Sequence, residues 1–401
     1  MSTTGATHEQ RPLRVAFCHY AADVFGGSDR ALYDLVTHLP RDRFAPHMLL
    51  RHGDPMITRY REHGIPVETF HLVPPRRAIE WGKLVRFALH FLPASLRLAA
   101  AIRRMNADVV HVNTLFNMQG AFAARLSGRP LVWHVRELIP DSRVFGWMTR
   151  LVARWSTRAI AISEAVAAVL ARCGNRLRTV LNSVDPHLFE NLPPRSQTRA
   201  EWHIALDAPV VLCAGRLEHW KGQHVLIEAV PAILAAHPEA VVLVAGAAAV
   251  NKPGYLTGLQ ERCAALDIQA RVRFLGRRED VPALMAAADV LVLPSVTPEP
   301  FGLTVIEAMA AGCPVVATRA GGPLDSVIDG ETGLLAAPGA PEDLAEKVNQ
   351  VLSAPERARA MGAAGRERVY AHFTIDREVA EIAAILEQAA ESRSGRPATT
   401  R

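Results

Sequence analysis

A chain of 401 residues is long enough for two domains with complete cores. Its 49% hydrophobic and 21% charged content is that of an ordinary globular protein, and the longest apolar region, 84–101, is broken by Arg86, His90, Pro93 and Arg97, which excludes a membrane span there. The net charge of +5 is unevenly spread, with +10 over residues 1–190 and −5 over residues 191–401.

Apolar runs of strand length alternate with helical stretches through the first half. Strands are expected at 14–19, 46–51, 108–113, 130–135, 158–163 and 178–182, with a helix over 28–39 capped by Ser28. Continuous apolar runs between helices predict a parallel sheet covered on both faces, and ligands of such sheets bind beyond the carboxyl ends of the strands. Those ends are therefore the places to search. After the first strand come Gly26 and Gly27, where backbone can approach a ligand closely, although a plain turn explains two glycines equally well. After the 130–135 strand, His134 is suited to orienting a substrate hydroxyl, and a packed core histidine is the plainer alternative. Between these lies a basic stretch, 76–104, where Arg76, Arg77, Lys83, Arg86, Arg97, Arg103 and Arg104 face a single acid, Glu80, among interleaved apolar residues. It reads either as an amphipathic region for an anionic membrane or as helices packed on the sheet with basic residues outward.

Pro186, Pro193 and Pro194 with several polar residues mark a linker, placed at 188–205. A second alternating series follows, with strands at 209–214, 240–246, 271–275, 289–294 and 314–318 and helices at 223–236, 255–266 and 281–287. The expected organisation is an α/β chain of two doubly wound Rossmann-like domains. These are 1–187, completed by a C-terminal helix at 375–390, and 206–373, followed by a disordered tail at 391–401. Directly after the first strand of the second domain stands Gly215-Arg216-Leu217-Glu218-His219-Trp220-Lys221-Gly222. Glycine there admits a phosphate, and Arg216 and Lys221 can neutralise a diphosphate without a metal.

The most informative stretch is Pro298-Glu299-Pro300-Phe301-Gly302-Leu303-Thr304-Val305-Ile306-Glu307. The flanking prolines place Glu299 on a stiff turn, and a helix is expected to start near Thr304. A helix N-terminus attracts an anion, and two carboxylates eight positions apart would bracket it. Carboxylates repel phosphate but accept hydrogen bonds from hydroxyls, so a ligand with a sugar at each end of a phosphate bridge fits. Against this, Thr304-x-x-Glu307 has the spacing of a capping box, which alone would account for both residues.

Together these motifs resemble the retaining family-4 glycosyltransferases of the two-Rossmann-domain, GT-B type. The resemblance rests on Gly215-Arg216 with Lys221-Gly222, on the Glu299/Glu307 pair within Pro-Glu-Pro-Phe-Gly-Leu, and on Gly312–Thr318, Gly321-Gly322 and Asp329–Gly333. The first half adds Gly26-Gly27, Val110-His111, His134 and Asn182–Asp185. It implies two domains facing a central cleft, with Arg216 and Lys221 holding the donor diphosphate and Glu307 taking the ribose hydroxyls. Glu299 would contact the transferred sugar with backbone help around Phe301, Gly302 and Leu303. Gly27 would lie near the donor and His134 near the reacting sugar. The sequence departs from the family pattern at Ser183, where glycine is usual, and at Asp325, near where a glutamate often follows the glycine pair.

The reading that follows is a retaining hexosyltransferase using a UDP-, GDP- or ADP-sugar, in polysaccharide or glycolipid biosynthesis. The acceptor would be a glycan, a lipid-linked sugar or a small molecule, anionic or membrane-associated where the basic half meets it. No metal or other cofactor is expected, since Asp-x-Asp is absent from the sequence, and no nucleic acid, since no such module is present. Two alternatives stay open: a nucleotide-sugar epimerase on the same fold, and a non-catalytic homologue that binds a nucleotide sugar. Residues 1–14 lack the apolar centre of a signal peptide, and the five cysteines form no C-x-x-C pair. Both point to a cytoplasmic protein with reduced thiols, peripheral on the inner face of the membrane if the basic stretch binds there.

Overall fold

A computed structural model of the protein describes residues 11–20, 26–72, 81–138, 143–248 and 254–394. The chain divides into two compact units. One is made of 1–162, 166–180 and 379–401, and the other of 163–165 and 181–378.

The first unit holds a seven-stranded sheet of β1 (Leu13–Cys18), β2 (Phe44–Arg51), β3 (Val67–Phe70), β4 (Val109–Asn113), β5 (Leu131–Val135), β6 (Arg158–Ala161) and β7 (Leu177–Thr179). Every pairing is parallel, in the order β3-β2-β1-β4-β5-β6-β7. The second holds six strands: β8 (Val210–Ala214), β9 (Val241–Ala245), β10 (Val272–Gly276), β11 (Val290–Leu293), β12 (Val315–Thr318) and β13 (Leu334–Ala336). They too are all parallel, in the order β10-β9-β8-β11-β12-β13. Central strands such as Val-Val-Leu-Cys-Ala in β8 and Leu-Val-Trp-His-Val in β5 are buried along their whole length. That is the cost of covering both faces of a sheet with helices, and it is why these strands read as unbroken apolar runs. Strand order reverses direction between β1 and β4, and again between β8 and β11. Each reversal opens a crevice at the carboxyl ends of its strands.

Three features differ from the sequence reading. Residues 188–205 carry the helix Arg195–Glu201, which packs in the second unit. Its Arg199 is 1% exposed and donates to Asp289 Oδ2 at 2.7 Å and to the carbonyls of Ala287, Leu206 and Ala208. The segment lies largely exposed on the second unit and is fixed to it by the buried Phe189, Thr198, Arg199 and Ile204, with Pro194 as the helix's N-cap residue. The last helix runs Ile375–Ser394, so 391–394 are helical, while 395–401 lie outside the described residues. The helix Gly27–His38 starts one residue early: Gly26 is its N-cap residue in place of Ser28, and Asp29 Oδ2 accepts from the Gly26 N–H at 2.7 Å. All five cysteines are free and buried, and burial pushes the thiols of Cys18, Cys213 and Cys313 up to about 12.

Candidate functional site

The second unit gathers its charged loop residues at its strand-order reversal. Beyond β8 the chain passes Gly215 and Arg216, makes a short 3-10 turn at His219–Lys221, and enters the helix Gln223–Ala236 through Gly222. Gly222 has φ +71°, and a Cβ there would lie 1.8 Å from the Pro294 carbonyl oxygen. Only glycine allows this loop to press against the exit of β11. A hydrogen bond from Val296 N to the Trp220 carbonyl, 2.9 Å, joins the two segments. The closeness brings Lys221 to Glu299, 78 positions away: Lys221 Nζ donates to Oε1 at 2.6 Å, and Ser295 Oγ donates to Oε2 at 2.8 Å. The two side chains are 16% and 7% exposed. A pair so far from water repays its desolvation only if its remaining polar atoms are satisfied. Here Ser295 occupies the second carboxylate oxygen, and the Trp220 ring faces the ammonium 4.3 Å from its centroid. Arg216, about half exposed, stands 3.8 Å from Glu218 Oε1.

The backbone that carries Glu299 is clamped from the other side. Gly322 N donates to the Glu299 carbonyl at 2.8 Å, and Gly321 pairs with Glu299 as an isolated parallel bridge. A Cβ on Gly321 would sit 2.1 Å from the Glu299 oxygen, and one on Gly322 2.2 Å from Phe301 Cα, so this glycine pair is a packing surface. Phe301 is buried against Phe373, with ring centroids 6.2 Å apart. The helix Leu303–Ala310 then opens with Gly302 as its N-cap residue and no side-chain cap. This corrects the capping-box alternative. Thr304 is the second helical residue, so Thr304 and Glu307 do not hold the N-cap and N3 positions that motif requires. Glu307 sits half-buried one turn into the helix.

In the first unit, His134 is fully buried near the end of β5 and shares a 3.3 Å hydrogen bond, through Nδ1, with His111 Nε2 on β4. Its Nε2 has no hydrogen-bond partner among the described residues. Burial, reinforced by the Arg136 charge, holds His134 well below the usual histidine range and brings His111 down to about 3. Beside them runs a buried chain of polar groups. His19 Nε2 bonds Asp29 Oδ1 at 2.7 Å, Asn113 Nδ2 meets His19 Nδ1 at 3.1 Å, and Arg136 Nε donates to Asn113 Oδ1 at 2.7 Å. Since the amide NH₂ can only donate, His19 carries its proton on Nε2 and gives it to Asp29. Asp29 uses its other oxygen on Gly26 N, so the Gly26-Gly27 turn is tied to this network.

Of the residues singled out from sequence, Lys221 and Glu299 are in contact. Arg216 shares the loop of Lys221, and Phe301, Gly302, Leu303 and Glu307 follow Glu299 without interruption. Gly27 and His134 belong to the first unit. Sequence reasoning missed Ser295, the Glu218–Trp220 contact and the His19–Asp29–Asn113–Arg136 chain. His19 and Asn113 were findable, because each stands at the carboxyl end of an expected strand, the criterion that selected His134. The two departures from the family pattern have partners. Ser183 Oγ donates to the buried Glu378 carboxylate at 2.5 Å, beside a backbone bridge between Val184 and Thr374. Asp325 Oδ2 accepts from Glu164 N at 3.0 Å, and burial raises its carboxyl above the ordinary range.

Comparison with known proteins supplies an independent view. The family model described as Glycosyltransferase Family 4 matches residues 25–188, and that described as Glycosyl transferases group 1 matches residues 194–368. The chain is 30% identical over 357 residues to the lipopolysaccharide core biosynthesis mannosyltransferase LpsB of Rhizobium meliloti, covering 82% of this chain and 95% of that protein. It is 32% identical over 252 residues to the GDP-mannose-dependent monoacylated alpha-(1-6)-phosphatidylinositol monomannoside mannosyltransferase of Corynebacterium glutamicum, covering 57% and 64% respectively. Among solved structures, Anabaena Alr3699/HepE in complex with UDP and glucose superposes with a TM-score of 0.82 at 27% identity, over 94% of this chain and all of that one.

Proposed function

The chain belongs to the family-4 glycosyltransferases, and on that premise we propose that it moves a hexose, with retention, from a nucleotide diphosphate sugar held by the second unit. The observation that carries this is the Lys221–Glu299 contact at the reversal of the second sheet. A nucleotide-sugar donor is supported by the UDP and glucose bound to the Anabaena protein and by the GDP-mannose dependence of the Corynebacterium enzyme.

In this reading Arg216 and Lys221 take the diphosphate. An ammonium has three N–H groups, so Lys221 can keep Glu299 and still give two to phosphate oxygens. Glu299 accepts from hydroxyls of the transferred sugar, the backbone at Phe301, Gly302 and Leu303 lies along it, and Glu307 takes the ribose hydroxyls. As the anomeric carbon passes from a diphosphate oxygen to an acceptor hydroxyl oxygen, charge grows on the leaving group, and fixed cations stabilise that charge without reorganising. No metal has a part in the proposal. Gly27 and His134 are proposed as donor and sugar contacts of the first unit.

The place of action is proposed to be an anionic membrane surface. Among the described residues no helix is long and apolar enough to cross a membrane. The helix Trp81–Arg104, however, exposes Leu89, Leu92 and Leu96 at 67, 51 and 51% while burying Ala94, Leu98 and Ile102. Spacings of three and four put the exposed leucines on one stripe. Arg76, Arg77 and Glu80, part of the basic stretch, lie outside the described residues.

The test is a thermal-stability screen against UDP-, GDP- and ADP-sugars followed by turnover. The cognate donor at a hundred times its Kd adds about 2.7 kcal/mol. A shift without turnover selects the non-catalytic alternative, and no shift with any donor defeats the proposal.

A further inference from the structure

A lysine ammonium on its flexible four-carbon stem surrenders about 2 kcal/mol of rotamer entropy when it is fixed, so something must hold it. Around Lys221 two side chains do so. Glu299 is one, and the other is Trp220, whose ring faces the ammonium 4.3 Å from its centroid. Trp220 is itself held at both ends. Its carbonyl accepts from Val296 N at 2.9 Å, and its indole Nε1 donates to Glu218 Oε2. Glu218 is anchored in turn, because its carbonyl accepts from Lys221 N at 2.9 Å, closing the 3-10 turn. Its second carboxylate oxygen, Oε1, faces Arg216 Nη1 at 3.8 Å. One carboxylate therefore links the tryptophan that braces Lys221 to the other cation of the loop.

We propose that Trp220 is a positioning residue that holds the Lys221 ammonium in place for the diphosphate, with Glu218 as the anchor of its indole. The proposal rests on the reading of Lys221 as a diphosphate ligand. The electron-rich ring face favours a cation, and more so where water is excluded. A braced ammonium loses little further freedom when the leaving group gathers charge, so the brace acts in the transition state more than in donor binding. Glu218 holds Arg216 only loosely, at 3.8 Å, which leaves that guanidinium able to turn to the phosphates.

The experiment is a double-mutant cycle, read as initial rates of nucleotide release from UDP-glucose or GDP-mannose, whichever stabilises the protein more. Trp220→Ala is expected to lower kcat about tenfold with little change in donor KM, equivalent to about 1.4 kcal/mol and within the range of a desolvated cation–π contact. Trp220→Phe, which keeps a ring face, is expected to recover most of the loss. In a Lys221→Met background Trp220→Ala should cost less than about twofold, because the group it braces is gone. An equal cost in both backgrounds, or none in the wild type, overturns the proposal. A Lys221→Met enzyme at full rate would sink the donor-site reading instead, so the two failures are distinct. If Trp220→Ala does not fold, the same cycle is run with Trp220→Leu, which fills the space but removes the ring face, and with Glu218→Gln.

Discussion

His134 shows how burial sets what a residue can do. Fully buried, beside His111 and the Arg136 charge, it is neutral near pH 7 and serves as a hydrogen-bonding group, not as a charged acid. That neutrality has a measurable consequence. A histidine in the unfolded chain takes its proton near pH 6.5, whereas His111 in the folded protein takes one only near 3. Between those values the unfolded state binds more protons, so stability falls as pH falls below about 6.5, by up to roughly 1.4 kcal/mol per pH unit for each such histidine. The urea midpoint should therefore drop between pH 7 and pH 5, a window above most carboxylate titrations, and His111→Gln should make the drop shallower. An unchanged midpoint across that window would remove the buried-neutral assignment. At this scale the motif residues were legible and their supports were not. Lys221 and Glu299 announce themselves by spacing from glycines and prolines. Ser295 and Trp220 acquire meaning only when Gly222 lets the β8 loop reach the exit of β11.

Elements were legible in proportion to their burial. The eleven apolar runs marked as strands all form strands, because in a sheet covered on both faces nearly every side chain is apolar. The two strands not foreseen are β3, Val-Glu-Thr-Phe with a charge inside it, and the three-residue β13, both at sheet edges where the pattern thins. Residues 188–205 read as a connector by their prolines, whereas Arg199, buried against Asp289 and its carbonyl partners, fixes this largely exposed segment to the second unit. The helix Trp81–Arg104 carries the prediction at this scale. Its Arg103 and Arg104 are engaged, with the Leu126 carbonyl and with Glu68, so the exposed leucines become the principal candidates for lipid contact. Binding to anionic vesicles should weaken with salt and fall about tenfold or more in a Leu92→Gln, Leu96→Gln variant, since burying each leucine contributes about 1.5–3 kcal/mol. Equally weak sedimentation with neutral and anionic vesicles would end the membrane proposal.

On the scale of the whole molecule, the same physical device occurs twice. Each unit reverses strand order beside its first strand, and each places its chemistry-bearing side chains at the carboxyl ends there. In the first unit these are His19, Asn113 and His134, and in the second Arg216, Lys221, Ser295 and Glu299. The first unit's set is buried, with His134 Nε2 left without a partner among the described residues. The second unit's set is a cation pair on a glycine loop, the arrangement suited to a diphosphate. The account stands on that second set, and one measurement reaches it most directly. It is the initial rate against donor concentration for the wild type and for Lys221→Ala, each with and without excess chelator. The account predicts a turnover lower by about two to three orders of magnitude in the variant, the scale of losing one charge-stabilising contact, with donor KM changed much less and both rates indifferent to chelator. Near wild-type turnover in Lys221→Ala, or a wild-type rate abolished by chelator and restored by Mg²⁺, would contradict it.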